Sequence, residues 1–114
     1  MYKVIDYVGR LYGVNQKYVN RKYALRPEYR NQHKVLADMA WKMFKAQRLK
    51  ILTGEVSVVM EISTSKDIDA IVKGTLDSLQ TAGVYENDSQ IVSLIVGKTK
   101  IGSKKPERLS VWVC

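Results

Sequence analysis

Cysteine is almost absent: the 114-residue chain has one, Cys114, at its last position. That excludes a disulfide framework and a paired-cysteine metal site, and the expectation is a reduced, cytoplasmic protein. Histidine is as scarce, with His33 alone, so zinc chemistry has no ligand set. No apolar run approaches the roughly 18 residues of a membrane span. The start, Met1-Tyr2-Lys3-Val4-Ile5-Asp6, lacks the apolar stretch of a secretory leader. No membrane partner is expected. Gly-x-x-x-x-Gly-Lys, which would cradle nucleotide phosphates, does not occur, and neither do the makings of a nucleophilic triad. No repeat, low-complexity tract or domain boundary interrupts the chain, which reads as a single domain over 1–114, large enough to bury a core without staples.

What the chain does have is positive charge, unevenly placed. The net charge is +8. Residues 1–50 hold twelve Lys or Arg against three Asp or Glu, and residues 51–114 hold seven against eight, so the whole excess lies in the first half. Such a split suits a protein that grips a polyanion with one segment and keeps carboxylates for another task in the second. A solvated basic surface without a partner is the plainer alternative.

Residues 2–8 mix β-branched and aromatic residues and end at Gly9, which predicts a first strand. From Gly13 to Leu25 the chain is polar and aperiodic and reads as a long loop. Asn15, Lys17, Arg21 and Lys22 there, with Tyr18 and Tyr23, are what a DNA-contacting loop needs: cations for phosphate, aromatic rings for stacking. Pro27 and Glu28 open a helix that runs to about Gln47. Val35, Leu36, Met39, Ala40, Met43 and Ala46 form its apolar stripe, and Lys34, Trp41, Lys45 and Arg48 form a basic ridge opposite. His33 flanks that ridge and reads as a surface or phosphate contact. Val56, Val58, Met60 and Ile62 alternate as one face of a strand. A helix follows Asp69, with Val72, Leu76 and Leu79 facing the core and Gly83 ending it as the left-handed residue. Ile91–Val96 is a further strand, 98–108 a turn, and Leu109–Val113 a closing edge strand. The fold class is α/β, a two-layer domain with a mixed sheet of about four strands in the order β-α-β-α-β-β and helices packed on the sheet.

The chemistry concentrates in Lys66-Asp67-Ile68-Asp69-Ala70-Ile71-Val72-Lys73. Asp67 and Asp69 sit where a strand gives way to a helix, and Lys73 lies one turn beyond Asp69 on the same helix face. Neighbouring carboxylates repel, and a hard cation such as Mg²⁺ relieves that repulsion while keeping sites for water and phosphate oxygens. A lysine beside it would offset charge developing on a phosphate. The structural alternative is that Asp67 caps the helix, Asp69 favours its dipole and Lys73 pairs with Asp69. Spacing alone leaves both open.

The run Lys66-Asp67-Ile68-Asp69 … Lys73 … Leu76-Asp77-Ser78-Leu79 … Ala82-Gly83-Val84 … Asn87-Asp88-Ser89-Gln90-Ile91-Val92 resembles the RusA family of Holliday-junction resolvases, in order, over roughly residues 66–92. Asn15 and Tyr18 also fall where that family tends to keep an Asn and a Tyr. The family often has Asn where Ala70 stands and an acid where Asn87 stands. The resemblance implies a Mg²⁺-dependent endodeoxyribonuclease (Mn²⁺ being the alternative ion) that acts as a homodimer on four-way junctions in DNA recombination and repair. It implies Asp67, Asp69 and Asp88 as metal-binding carboxylates and Lys73 as the essential lysine. Lys66 joins Asn15, Lys17, Tyr18, Arg21 and Lys22 in the expected DNA-binding set. The competing reading is a non-catalytic module for branched DNA or RNA. A helix over 69–82 would be about 20 Å long and the return to Asp88 would reach at most about 18 Å. Asp88 therefore serves its own protomer's site or the neighbour's, and the sequence leaves this open.

Overall fold

In the computed structural model the described residues are 1–13, 27–102 and 104–114, together with the backbone of 18–19 and 24–25. The main sheet has four strands: β1 (Tyr2–Val8), β4 (Val56–Ser63), β5 (Ile91–Thr99) and β6 (Arg108–Val113). Their spatial order is β1-β6-β4-β5. β1 and β4 both run antiparallel to β6, and β5 runs parallel to β4. The mixed sheet and the element order expected from the sequence are both present. Two short strands, β2 (Tyr18–Val19) and β3 (Ala24–Leu25), pair antiparallel where the sequence suggested only a loop.

Helices α1 (Pro27–Ala46) and α2 (Ile68–Thr81) cover one sheet face. Val56, Val58, Met60 and Ile62 are all at most 1% exposed and meet Leu109, Val111 and Val113 of β6, Leu36, Ala40 and Phe44 of α1, and Ile71 and Leu79 of α2. The α1 stripe differs from the expected one. Val35 is exposed, Met39 is half-buried, and the core face is instead Tyr29, Leu36, Ala37, Ala40 and Phe44. Packing against α2 rotates the buried side toward Ala37 and Phe44, a preference set by tertiary contact rather than by periodicity. α2 ends as its glycine predicts: Gly83 has φ +79°, its N–H bonds the carbonyl of Gln80, and the N–H of Val84 bonds that of Leu79.

β6 is not an edge strand. It lies between β1 and β4, which is why Leu109, Val111 and Val113 are all fully buried. The edges are β1 and β5. On β5, Val92, Leu94 and Ile95 are 59%, 42% and 61% exposed, because the two helices do not reach over that side of the sheet.

Candidate active site

β4 and α2 set the site. β4 delivers the chain to the upper end of the sheet, the loop 64–67 turns it, and α2 leads it back beside the sheet towards the start of β5. Asp67 occupies the N-cap position of α2 with extended backbone, yet its carboxylate makes no capping hydrogen bond. Asp69 stands in the first turn. Among the described residues neither carboxylate, nor the ammonium of Lys73, has an ion pair or a side-chain hydrogen bond, and all three side chains are exposed. The capping and i,i+4 pairing that would give these residues a purely structural purpose are not formed.

The loop that carries Asp67 is nevertheless held firmly, by a residue the sequence reading missed. Glu107, just before β6, accepts from the backbone N–H of Leu11 at 3.1 Å, from the Thr64 hydroxyl, and from the Lys66 ammonium at 2.9 Å. Lys66 donates further to the carbonyl of Leu11, and the Thr64 oxygen accepts from the N–H of Lys66 at 3.1 Å. Lys98 of β5 closes the group by donating to the carbonyl of Lys66 at 2.6 Å. Burial pushes the Glu107 carboxyl up, but the hydrogen bonds from Thr64, Lys66 and Leu11 and the nearby Lys66 charge outweigh it, and the group lies below the ordinary glutamate range. On the other side Gln32 of α1 accepts from Tyr12 N–H and donates to the carbonyl of Arg10. No motif flagged Glu107. A lone acid directly before a strand in a basic turn was its only signal.

Of the expected DNA-binding residues, Asn15, Lys17, Arg21 and Lys22 lie outside the described residues, and Tyr18 is described by its backbone in β2 alone. Lys66 is held by Glu107 and Leu11. It lines an open cleft of about 380 Å³ together with Arg10, Ser65, Gly102, Lys105 and Glu107. His33 does not sit on the basic ridge. Its ring nitrogens contact the hydroxyls of Ser78 and Thr81, each at 3.1 Å, so it fastens α1 to α2. Lys34, Trp41 and Lys45 are exposed on α1 as expected, whereas Arg48, also exposed, lies past the helix end in a turn with φ +57°.

Asp88 is placed apart from the other two aspartates. It opens the 3-10 turn Asp88–Gln90, where Asn87 accepts from Ser89 N–H and Gln90 accepts from the N–H groups of Glu86 and Asn87. Gln90 also donates to the carbonyls of Leu52 and Gly54, tying the turn to the segment before β4. Ile91 pairs with Val56, the first residue of β4, whereas Asp67 follows the last. Eight strand residues separate the two levels, about 25 Å along the sheet. Consistent with this, no group of three metal-capable side chains occurs among the described residues. The buried Tyr85 hydroxyl, raised well above its ordinary range by burial and then by the charges of Asp88 and Asp77, marks the low end where Asp88 sits.

Fold and site define a small basic α/β protein that presents carboxylates and a lysine at the head of a helix, without structural partners among the described residues, beside a cationic cleft. The sequence model of the RusA endodeoxyribonucleases matches residues 12–113, and the chain belongs to that family. No curated protein matches the chain. No helix among the described residues is long and apolar enough to cross a membrane.

Proposed function

We propose that the chain is a Mg²⁺-dependent endodeoxyribonuclease that resolves four-way DNA junctions by paired, symmetric nicks, working as a homodimer in the cytoplasm during recombination and repair. The observation that carries the reading is the trio Asp67, Asp69 and Lys73, exposed at the head of α2 and unpartnered among the described residues, in a member of an endodeoxyribonuclease family. Exposed paired carboxylates fit Mg²⁺, which accepts one or two of them and fills its remaining positions with water and phosphate oxygens; Mn²⁺ would fit similarly. Asp67 and Asp69 would hold the ion within one protomer, and Asp88 is the third candidate ligand. When bound, such an ion polarises a phosphodiester and lowers the pKa of attacking water. Lys73 is placed to balance charge that builds on the phosphate oxygens in the transition state. Lys66, held by Glu107, positions the loop and lends positive potential to the cleft. The DNA itself is gripped by the 13–25 segment, where Asn15, Lys17, Tyr18, Arg21 and Lys22 are the proposed contacts.

The test is cleavage of a labelled synthetic four-way junction, with and without Mg²⁺, beside linear duplex of the same sequence. Asp69→Asn is expected to abolish nicking while junction affinity stays equal or rises, because a carboxylate that repels phosphate is gone. Asp67→Asn should also stop nicking, yet leave stability within about 0.5 kcal/mol of wild type, since no capping bond is lost. Wild-type nicking rates in Asp69→Asn would remove the catalytic assignment and favour a junction-binding module.

A further inference from the structure

The turn between β5 and β6 is a second basic concentration, one that a charge count over the whole second half conceals. From Lys98 to Arg108 the chain holds five Lys or Arg against the acid Glu107. Lys98 is committed to the Lys66 carbonyl, Arg108 to Asp6, and Glu107 to Thr64, Lys66 and Leu11. Lys105 has no ion pair among the described residues, and neither has Arg10. The Gly9 N–H donates to the Glu107 carbonyl at 2.9 Å, which brings Arg10 alongside the turn, and the Lys105 N–H closes the turn on the Gly102 carbonyl at 3.1 Å. The Arg10 guanidinium lies over the Tyr12 ring, 5.4 Å from its centroid, so its position is set before any ligand arrives.

The cleft these residues line has three properties that a phosphate path does not require. Its volume, about 380 Å³, is within the range of small-ligand sites, about 300–1,000 Å³. A phosphate alone, a few water volumes of about 30 Å³ each, leaves most of it empty. Ile101 and Pro106 give it apolar wall inside a basic turn. Gly102, which also lines it, is not demanded by the backbone: its φ lies outside the left-handed region, and among the described residues a Cβ there would meet no atom within 4 Å. What the missing side chain leaves is room.

We propose that this cleft is a nucleotide subsite. It takes up one unstacked nucleotide of the bound DNA strand, with the phosphate on Arg10 and Lys105 and the base against Ile101, Pro106 and the open face of Gly102. A flipped base is received by apolar side chains and read along its polar edge, and the exposed Ser65 hydroxyl supplies a donor and an acceptor for that edge. Ser65 and Lys66 line the cleft and Asp67 follows them directly, so the nucleotide held there neighbours the phosphate to be cut. Drawing a base out of a continuous duplex costs a few kcal/mol, and less where pairing and stacking are already interrupted. The cleft therefore favours the branch point of a junction over linear duplex without reading much sequence. Its part in cutting rests on the nuclease reading above; nucleotide binding by the cleft does not.

The test is a titration of the isotope-labelled protein, followed through the amide resonances of Ser65, Lys66, Gly102 and Lys105. The probes are 2′-deoxynucleoside 5′-monophosphates, with 2-deoxyribose 5-phosphate and inorganic phosphate as controls that lack a base. The nucleotides are expected to shift these resonances and to bind about tenfold more tightly than either control, the gain a single base contact of this kind brings. Gly102→Leu fills the cleft and should abolish the base-dependent gain while its melting temperature stays at the wild-type value. If that variant does not fold, Arg10→Ala with Lys105→Ala takes its place and should lose nucleotide binding altogether. Equal binding of nucleotide and phosphate, or no shifts at all, overturns the subsite, as does undiminished nucleotide binding in a folded variant. A 2-aminopurine placed in turn at each position around the branch point of a junction, in Ca²⁺, should brighten on binding at one of them with wild type and not with Gly102→Leu; no brightening at any position overturns the unstacking. A protein that binds nucleotide but never nicks a junction keeps the subsite and loses the nuclease reading, and one that nicks without base-dependent binding does the reverse.

Discussion

Removing the Glu107 carboxylate would leave the Lys66 ammonium, among the described residues, with the Leu11 carbonyl and the Tyr12 ring, and would strip an acceptor from both Thr64 and the Leu11 N–H. Glu107→Ala should cost about 2–4 kcal/mol, more than an exposed ion pair, because the Glu107 side chain is only 14% exposed and its partners stay partly buried. Glu107→Gln keeps the shape and should lose less. The pH dependence has a definite sign. The folded-state carboxyl lies below its ordinary value, so its contribution is complete above the unfolded-state glutamate pKa and is lost as pH falls through the lowered folded-state pKa. Thermal melts through the acid range should therefore show a decline in wild type that is shallower in Glu107→Gln. Equal slopes would mean that the carboxylate does not titrate against the fold. Since the loop it fixes carries Asp67, slower nicking with unchanged junction affinity is expected at neutral pH. Glu107 was illegible in the sequence because the three residues its carboxylate bonds lie 41 to 96 residues away. Asp67, Asp69 and Lys73, by contrast, stand on one local segment, where the family resemblance singled them out and spacing alone left their purpose open.

At the level of elements, what could be read ahead followed local rules. β4 alternates, α2 ends on a glycine with positive φ, and Pro27 starts α1, so each was visible from a handful of neighbouring residues. What could not be read depends on where elements lie relative to one another. β6 and β5 are both apolar and alternation cannot say which one is central; the answer is set by β6 pairing with β1 and β4 at once. The buried side of α1 likewise depends on α2, whose Ser78 and Thr81 engage His33. The 3-10 turn before β5 is a case where one side chain joins the local to the distant. Gln90 caps the turn and reaches across to Leu52 and Gly54. Gln90→Ala should cost about 1–3 kcal/mol, read by urea unfolding, through two backbone donors and two carbonyls left to water. The same change should slow nicking further than the stability loss explains, because Asp88 rides on the turn. A fully folded Gln90→Ala enzyme with wild-type rate would show that Asp88 needs no such support.

Across the whole molecule, charge and chemistry occupy different stretches of one small domain. The basic excess is confined to residues 1–50, while the acids at issue lie on 67–88. The fold narrows that separation at one place: Arg10, at the end of the basic half's first strand, shares a cleft with Lys66 and Lys105, directly before Asp67. Phosphates entering the site would therefore pass cations first, which raises encounter without placing positive charge on the carboxylates themselves. DNA binding should weaken steeply with salt, and each phosphate contact removed should reduce the log–log slope by about 0.9 on duplex arms. Arg10→Ala with Lys105→Ala and, separately, Arg21→Ala with Lys22→Ala are each expected to flatten the slope by up to about twice that amount. Cutting at saturating DNA should survive in both, because neither pair belongs to the proposed ion-binding and charge-balancing set of Asp67, Asp69 and Lys73. Anisotropy titrations of a labelled junction in Ca²⁺ would measure the slopes apart from cleavage. If the cleft pair alone flattens the slope, the phosphate path runs beside the acidic loop. If only the Arg21 and Lys22 pair does so, the grip lies in the 13–25 segment, and Arg10 and Lys105 serve the fold; an unchanged slope in both would move the DNA to the exposed ridge of Lys34, Trp41 and Lys45 on α1.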